Sequence, residues 1–427
     1  MPERPTRIAI IGAGPAGTAT ATLLARRGAS VVILDDGKRP DLVVGESLIP
    51  LMVAAFRELG IEDEVKKFGT HKPGVTFTID DDTEFMLSFQ SVEGILPTYS
   101  YNVPRKDFDQ LLLDTALNAG ALMVRAQVRL EGPYPQGAEV RLGRETLDSI
   151  PGWDGAEPDL LIDASGRRRL TARLLQLKAA TGPRTDVAHF AHYADCALPE
   201  PAGQVIISRL RHGWSWRIPL SGGRLSIGVV MNKDAAKTFG STPEAQLEGV
   251  IDSEPRLHAA AARRRRVTPV ATYANYQLIS ARASGPGWAA AGDAFGFVDP
   301  MLSPGLCMAL ESARMLAASI PAQGGLDAAA PARLRRYGRW FARSLRHWQD
   351  LVDYFYDGRI FSIYTAGREM SARRPGRPAE IIEGHISKNL AGMASGAYTS
   401  RAYSRWLVSV LALYAQRQKD PAAYVIR

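Results

Sequence analysis

The sequence predicts an α/β protein: a Rossmann-like dinucleotide-binding domain, a mixed β-sheet packed over it, and a helical C-terminal module. Three observations carry this. A glycine-rich turn joins a buried strand pattern to a helix pattern near residue 12. Two blocks of alternating strand pattern lie near residues 70–100 and 186–282. From Leu334 onward the apolar spacing is helical. A chain of 427 residues is too long for one small core, so two or three structural units are expected.

The first element is "RIAIIGAGPAGTATATLLARRGASVVILDD". A buried strand from Arg7 to Ile11 runs into Gly12, Gly14 and Gly17, spaced G-x-G-x-x-G. A helix follows through Arg27 and stops at Gly28. A second strand, Val31 to Leu34, ends at Asp35 and Asp36. Gly12 permits the tight turn, Gly14 lets backbone approach a pyrophosphate, and Gly17 lets helix pack on strand, with Ala16 between them. The helix N-terminus supplies unpaired N–H groups and positive dipole to the phosphates. Pro15 in the first turn loses an N–H that the helix does not use. Asp35 is placed to bond ribose hydroxyls. No second glycine motif appears on a strand–helix unit, so one dinucleotide site is expected.

The next elements are strands and strand-to-loop turns. "GVTFTID", "EFMLSFQ", "QVIISRL", "GWSWRIP" and "RLSIGVVM" alternate and are punctuated by turns such as Ser221 to Gly223. Trp214 and Trp216 alternate on one strand, so both point to one face. "MVRAQVRL" reads as a further strand, with Val128 near the cofactor. "GLDAAAPA" from Gly325 reads as a linker. "HWQDLVDYFYDGRIF" carries Trp348, Tyr354, Phe355, Tyr356 and Phe361, a core-like spacing; if one helix lines the site mouth, it is this one. "TAGREMSARRPGRPAE" reads as a basic loop and a candidate docking edge. "WLVSVLALYA" is too short to span a bilayer.

Composition narrows the class. Hydrophobic content of 46% and charged content of 22% are ordinary for a soluble globular protein. The strand pattern from Arg7, with no charged leader and apolar core before it, argues against a signal peptide. Two cysteines, Cys196 and Cys307, make neither a disulfide framework nor a metal cluster, so a cytoplasmic, metal-free protein is expected. The net charge is +8, with clusters at Arg263–Arg266, Arg167–Arg169 and after Arg333. They are a solvated surface or a landing site for an acidic partner. No nucleic-acid module accompanies them.

Several motifs carry a family resemblance. "YNVPRKDFDQLLLDTALNAGA", "LLIDASGRRRL" and "GWAAAGDAFGFVDP" resemble the cofactor motifs of the flavoprotein aromatic hydroxylases and their relatives. The resemblance implies an FAD site that adds Ser47, Arg105, Val128, Gly166, Asp293, Pro300 and Gly305 to the glycine turn and Asp35. The two strand blocks interrupt the flavin domain, so the expected division is a discontinuous FAD-binding domain (1–69, 101–185 and 283–325), a substrate-domain sheet (70–100 and 186–282) and a helical module (330–427), the last lying beyond the resemblance, which ends near residue 320. "VGESLIP", with Glu46, and "GWSWRIP" look like the flavin-dependent halogenases within that group. In those enzymes a lysine between flavin and substrate handles hypohalous acid, and "THKPGVTF" offers Lys72 at that place. The other reading of Lys72 is an exposed surface lysine. His71 is the alternative group for orienting substrate.

The stretch "DPMLSPGLCMAL" raises a doubt about halogenation. Halogenases hold the halide on two consecutive backbone N–H groups, and here those positions are Pro304 and Gly305. Proline has no N–H. One donor fewer costs about 1–3 kcal/mol of anion affinity. Leu302 stands where tryptophan halogenases carry an acid; Phe297, Trp214 and Trp216 complete the substrate-side candidates. The expected activity is therefore an FAD-dependent monooxygenase that hydroxylates an indole-like ring through a flavin hydroperoxide. The ring is free or borne on a peptide or carrier protein, as in the halogenase-like flavoproteins of tryptophylquinone biogenesis. Molecular oxygen is a co-substrate, and NAD(P)H or a separate reductase supplies electrons. The alternative is an FADH2-dependent halogenase of an indole, pyrrole or phenol that uses Lys72.

Overall fold

The computed structural model describes residues 4–80, 83–274, 277–373, 377–418 and 420–426. It is an α/β fold built on two sheets with helices around them. The first sheet has six strands. Leu160–Asp163, Arg7–Ile11, Ser30–Asp35 and Leu122–Arg125 run parallel side by side, and Trp288–Ala290 extends them beyond Leu160–Asp163. Ser284–Gly285 closes that edge in the antiparallel sense. Central strands of a parallel sheet are covered on both faces, which is why "IAII" and "VVIL" read as unbroken apolar runs.

The second sheet has eight strands and is mixed. Asp186–Ala194, Arg224–Asn232, Gly213–Leu220 and Val205–Leu210 are antiparallel neighbours, and Gly74–Thr78 joins the last of them in parallel. Glu84–Ser88 is the far edge, and Arg265–Arg266 and Ala271–Ala274 pair with Asp186–Ala194 at the other. Alternation sorts its side chains. Val75, Phe77, Ala188, Val205, Ile207, Trp214 and Trp216 face the first sheet. Val187, Ala191, Tyr193, Ile227 and Val229 form a separate core with the helices Pro243–Ser253 and Pro255–Ala261 on the other side.

Some expectations need correction. The strand at residue 122 stops at Arg125, so Val128 lies in the segment after it. The first C-terminal helix begins at Ala330, inside the expected linker, and the Ala329 amide before it donates to Asp327 at 3.0 Å. The expected basic loop is helical over most of its length: Arg359–Arg373 and Arg377–Ala394 are both helices, and residues 374–376 lie outside those described. Trp348, Phe355, Tyr356 and Phe361 are buried core. Among the described residues no helix is long and apolar enough to cross a membrane. Several arginines of the first two clusters pair with acids of the same chain. Arg264 bonds Glu248 and Asp252 at 2.7 Å each, Arg265 pairs with Asp195, and Arg168 pairs with Asp36.

Candidate active site

A cavity of about 790 Å³ lies between the two sheets, at the carboxyl ends of the parallel strands. Ligands of open α/β sheets sit at that end because the helix N-termini converge there. Its first half is the glycine turn. Gly12 has φ +102°, and a Cβ there would stand 2.5 Å from the Ala164 carbonyl oxygen. A Cβ on Gly17 would stand 2.0 Å from the Gly12 oxygen, so the helix can seat on the strand only without one. Gly14 meets nothing: its Cα faces open cavity. As N-cap it offers no side-chain acceptor, so the first-turn amides of the helix Pro15–Ala25 are left to a ligand.

The polar groups of this half are held ready. Asp35 accepts from the Ala13 and Gly37 amides at 2.8 Å each, which fixes its carboxylate at the cavity wall. Arg105 is buried at the start of its helix, bonded to Asp109 at 2.9 Å and to the Val44 carbonyl. Asp293 lines the cavity and accepts no hydrogen bond from the described residues, and burial pushes its carboxyl up to about 6. An unpartnered acid, an open Gly14 face and free helix amides are what a bound dinucleotide would complete. Ala16, Ser47, Val128, Gly166, Pro300 and Gly305 also line this cavity.

The second half is the substrate side. Lys72 is not the exposed lysine its sequence context allowed: it is 1% exposed. Its Nζ donates to Ser47 Oγ at 2.6 Å and to the Leu48 carbonyl at 2.7 Å, and it lies 5.2 Å from the centre of the Phe89 ring. No carboxylate among the described residues balances it, and burial lowers its pKa to about 7. His71, the next residue on the strand, points the other way. It is exposed, stacks on Tyr99 at 5.4 Å and does not line the cavity, so it is no candidate. Glu46 lines the cavity at 2% exposure and accepts from His192 Nε2 at 2.5 Å. Sequence reading passed over His192. The available signal was alternation, which sets Ala188, Phe190 and His192 on one face of their strand.

Trp214 and Trp216 are cavity wall and core at once. Their rings are 5.7 Å apart, and the Trp216 indole lies across Gly228, where a Cβ would meet it at 2.2 Å. Trp214 Nε1 donates to Tyr356 Oη at 2.9 Å, and Trp216 Nε1 to Ser226 Oγ at 3.2 Å. Tyr356 in turn reaches both oxygens of the buried Asp299 at 3.2 Å. Asp299 also takes bonds from Gln277 and the Met301 amide, and burial raises it to about 7. This network, unread in the sequence, anchors the turn that follows. Leu302 and Ser303 have φ +65° and +59°, a costly conformation for residues bearing a Cβ.

That turn starts the helix Pro304–Ala318. Pro304 occupies its first position, where a missing N–H interrupts no helix bond, and it does not line the cavity. Phe297, Leu302, Ser303, Gly305 and Leu306 do. A Cβ on Gly305 would stand 2.6 Å from the Phe297 ring, so only glycine lets the helix start pack against that ring. The far wall comes from Ala391 and Ala394 of the helix Arg377–Ala394, rather than from the aromatic helix expected to line the mouth. Nothing in the sequence around these two alanines marks them.

The family model of tryptophan halogenases matches residues 7–96 and 90–362. A tryptophan 2-halogenase of Chondromyces crocatus is 28% identical over 367 residues, 82% of this chain and 68% of that protein. A 1H-pyrrole-2-carbonyl-[peptidyl-carrier protein] chlorinase of Pseudomonas fluorescens is 25% identical over 396 residues, 86% of each. The solved structure of the myxobacterial chondrochloren halogenase superposes with a TM-score of 0.71 at 28% identity, covering 83% of both chains.

Proposed function

This chain belongs to the tryptophan halogenase family, and from that premise we propose that it is an FAD-dependent enzyme that halogenates an aromatic ring, with Lys72 as its catalytic residue. The carrying observation is Lys72 itself: a buried amine on the substrate side of the cavity, with no counter-ion and a pKa near 7. The relatives named above support this reading over the oxygen insertion that Pro304 suggested.

The glycine turn, Asp35, Arg105 and Asp293 would hold FAD, whose reduced form supplies the electrons by which dioxygen oxidises a halide. The protein's own residues do the rest. Ser47 Oγ and the Leu48 carbonyl aim the Lys72 Nζ at one spot. A group with a pKa near 7 can hold a proton there and release it at neutral pH. Glu46, paired with His192, lies beside Ser47 in the chain and accepts no proton from Lys72 directly. The amides of Gly305 and Leu306, at the positive end of a fifteen-residue helix, are the donors that would meet a halide. Trp214, Trp216, Phe77 and Ile207 exclude water from the ring.

One observation favours a second reading. Pro304 removes a donor just before Gly305, so oxygen insertion into the ring is the competitor. The deciding experiment supplies FAD, a flavin reductase with NADH, oxygen and an aromatic panel, with and without bromide. A brominated product with its isotope doublet is expected, and its loss in Lys72→Ala. An oxygenated product formed equally without bromide would give the function to the second reading.

A further inference from the structure

The charges that line the cavity are divided between its halves. Arg39, Arg105, Arg167 and Arg168, with Asp35 and Asp293, stand on the dinucleotide side. On the sheet side the lining is largely apolar and includes Val75, Phe77, Val205, Ile207, Trp214 and Trp216, with Thr272 and Tyr273 as its hydroxyl groups, and Ala391 and Ala394 join it from their helix. The lysine and the carboxylate on this side already have protein partners: Lys72 bonds Ser47 and Leu48, and Glu46 bonds His192. Both indole N–H groups are also engaged, with Tyr356 and Ser226, so the tryptophans offer a ligand their ring carbons.

A free aromatic amino acid brings an ammonium and a carboxylate. The uncompensated Lys72 can meet the carboxylate, but Glu46 is already engaged by His192, so desolvating the ammonium against this wall is strongly unfavourable. An indole or phenol without those groups meets mainly apolar surface and π-faces, which suits it. We propose that the substrate is an aromatic ring carrying no ammonium group, and that free tryptophan and tyrosine are rejected. The proposal rests on the halogenase reading for the identity of the substrate side. A neutral ring has two sources: a free arene, or a side chain whose backbone is capped as amides in a peptide.

The test measures binding alone. The FAD-loaded protein, without halide or reductant, is titrated calorimetrically with 3-methylindole, N-acetyl-L-tryptophanamide and L-tryptophan. The better of the two neutral ligands is expected to bind at least roughly a hundredfold more tightly than L-tryptophan. A preference for 3-methylindole points to a free arene, and a preference for the amide to a peptide-borne ring. Equal or tighter binding of L-tryptophan overturns the proposal, as does binding of none of the three. A neutral ring that binds well but is never halogenated counts against the catalytic reading and leaves this one standing.

Discussion

Replacing Lys72 by methionine should abolish turnover and change the stability of the folded protein by an amount that depends on pH. The amine is buried and uncompensated, and its pKa falls from 10.5 to about 7. The unfolded chain therefore binds more protons than the folded one between those values. Stability rises with pH across that window and is lowest below it. A shift of 10.5 − 7 corresponds to about 5 kcal/mol of destabilisation at about pH 6, shrinking to about 2 kcal/mol at about pH 9. Methionine removes the amine and this pH dependence with it. It also removes the bonds to Ser47 and Leu48, worth about 1–3 kcal/mol each, which offset the gain by an amount that does not vary with pH. The slope is the clean readout. In urea unfolding of both proteins, the variant's stability relative to wild type should fall by about 3 kcal/mol between about pH 6 and about pH 9. A difference that stays flat with pH would refute the reasoning, since Lys72 would then not be a strained buried amine. Wild-type product yields from the variant would refute its catalytic role.

Other substitutions test other parts of the site. Gly17→Val sets a Cβ 2.0 Å from the Gly12 carbonyl oxygen, so the protein should lose flavin on gel filtration and melt at lower temperature. Asp293→Asn should weaken FAD binding about tenfold through the loss of one charge-assisted bond, read by flavin fluorescence titration. Its apoprotein should be at least as stable at pH 7, because the raised Asp293 carboxyl costs stability as pH climbs from 3.8 through about 6. Pro304→Ala restores an N–H at the helix start. If that nitrogen belongs to the halide seat, the bromide concentration giving half-maximal rate should fall roughly tenfold; no change would show that Gly305 and Leu306 suffice. Tyr356→Phe breaks the bonds to Trp214 and Asp299 and should cost about 2 kcal/mol in urea unfolding.

The sequence by itself determined the dinucleotide half. Its logic is local: a turn, a helix N-terminus and an acid one strand away are adjacent in the chain, and the roles of Gly12 and Gly17 follow from backbone sterics. Alternation likewise determined that Trp214 and Trp216 share a face. Tertiary structure alone decided which of His71 and Lys72 enters the cavity. One residue of register on a three-residue strand reverses the answer, and so short a strand has no pattern to read. The same holds for the His192–Glu46 pair and the Asp299–Tyr356–Trp214 network, whose members are 146 and 57 to 142 residues apart. The far wall at Ala391 and Ala394 is also a product of packing, since two small residues on a helix become a substrate surface only where another element lies opposite. Burial also sets the acidity of Lys72. A sequence names the amine, but only the assembled core removes the water that would keep it charged.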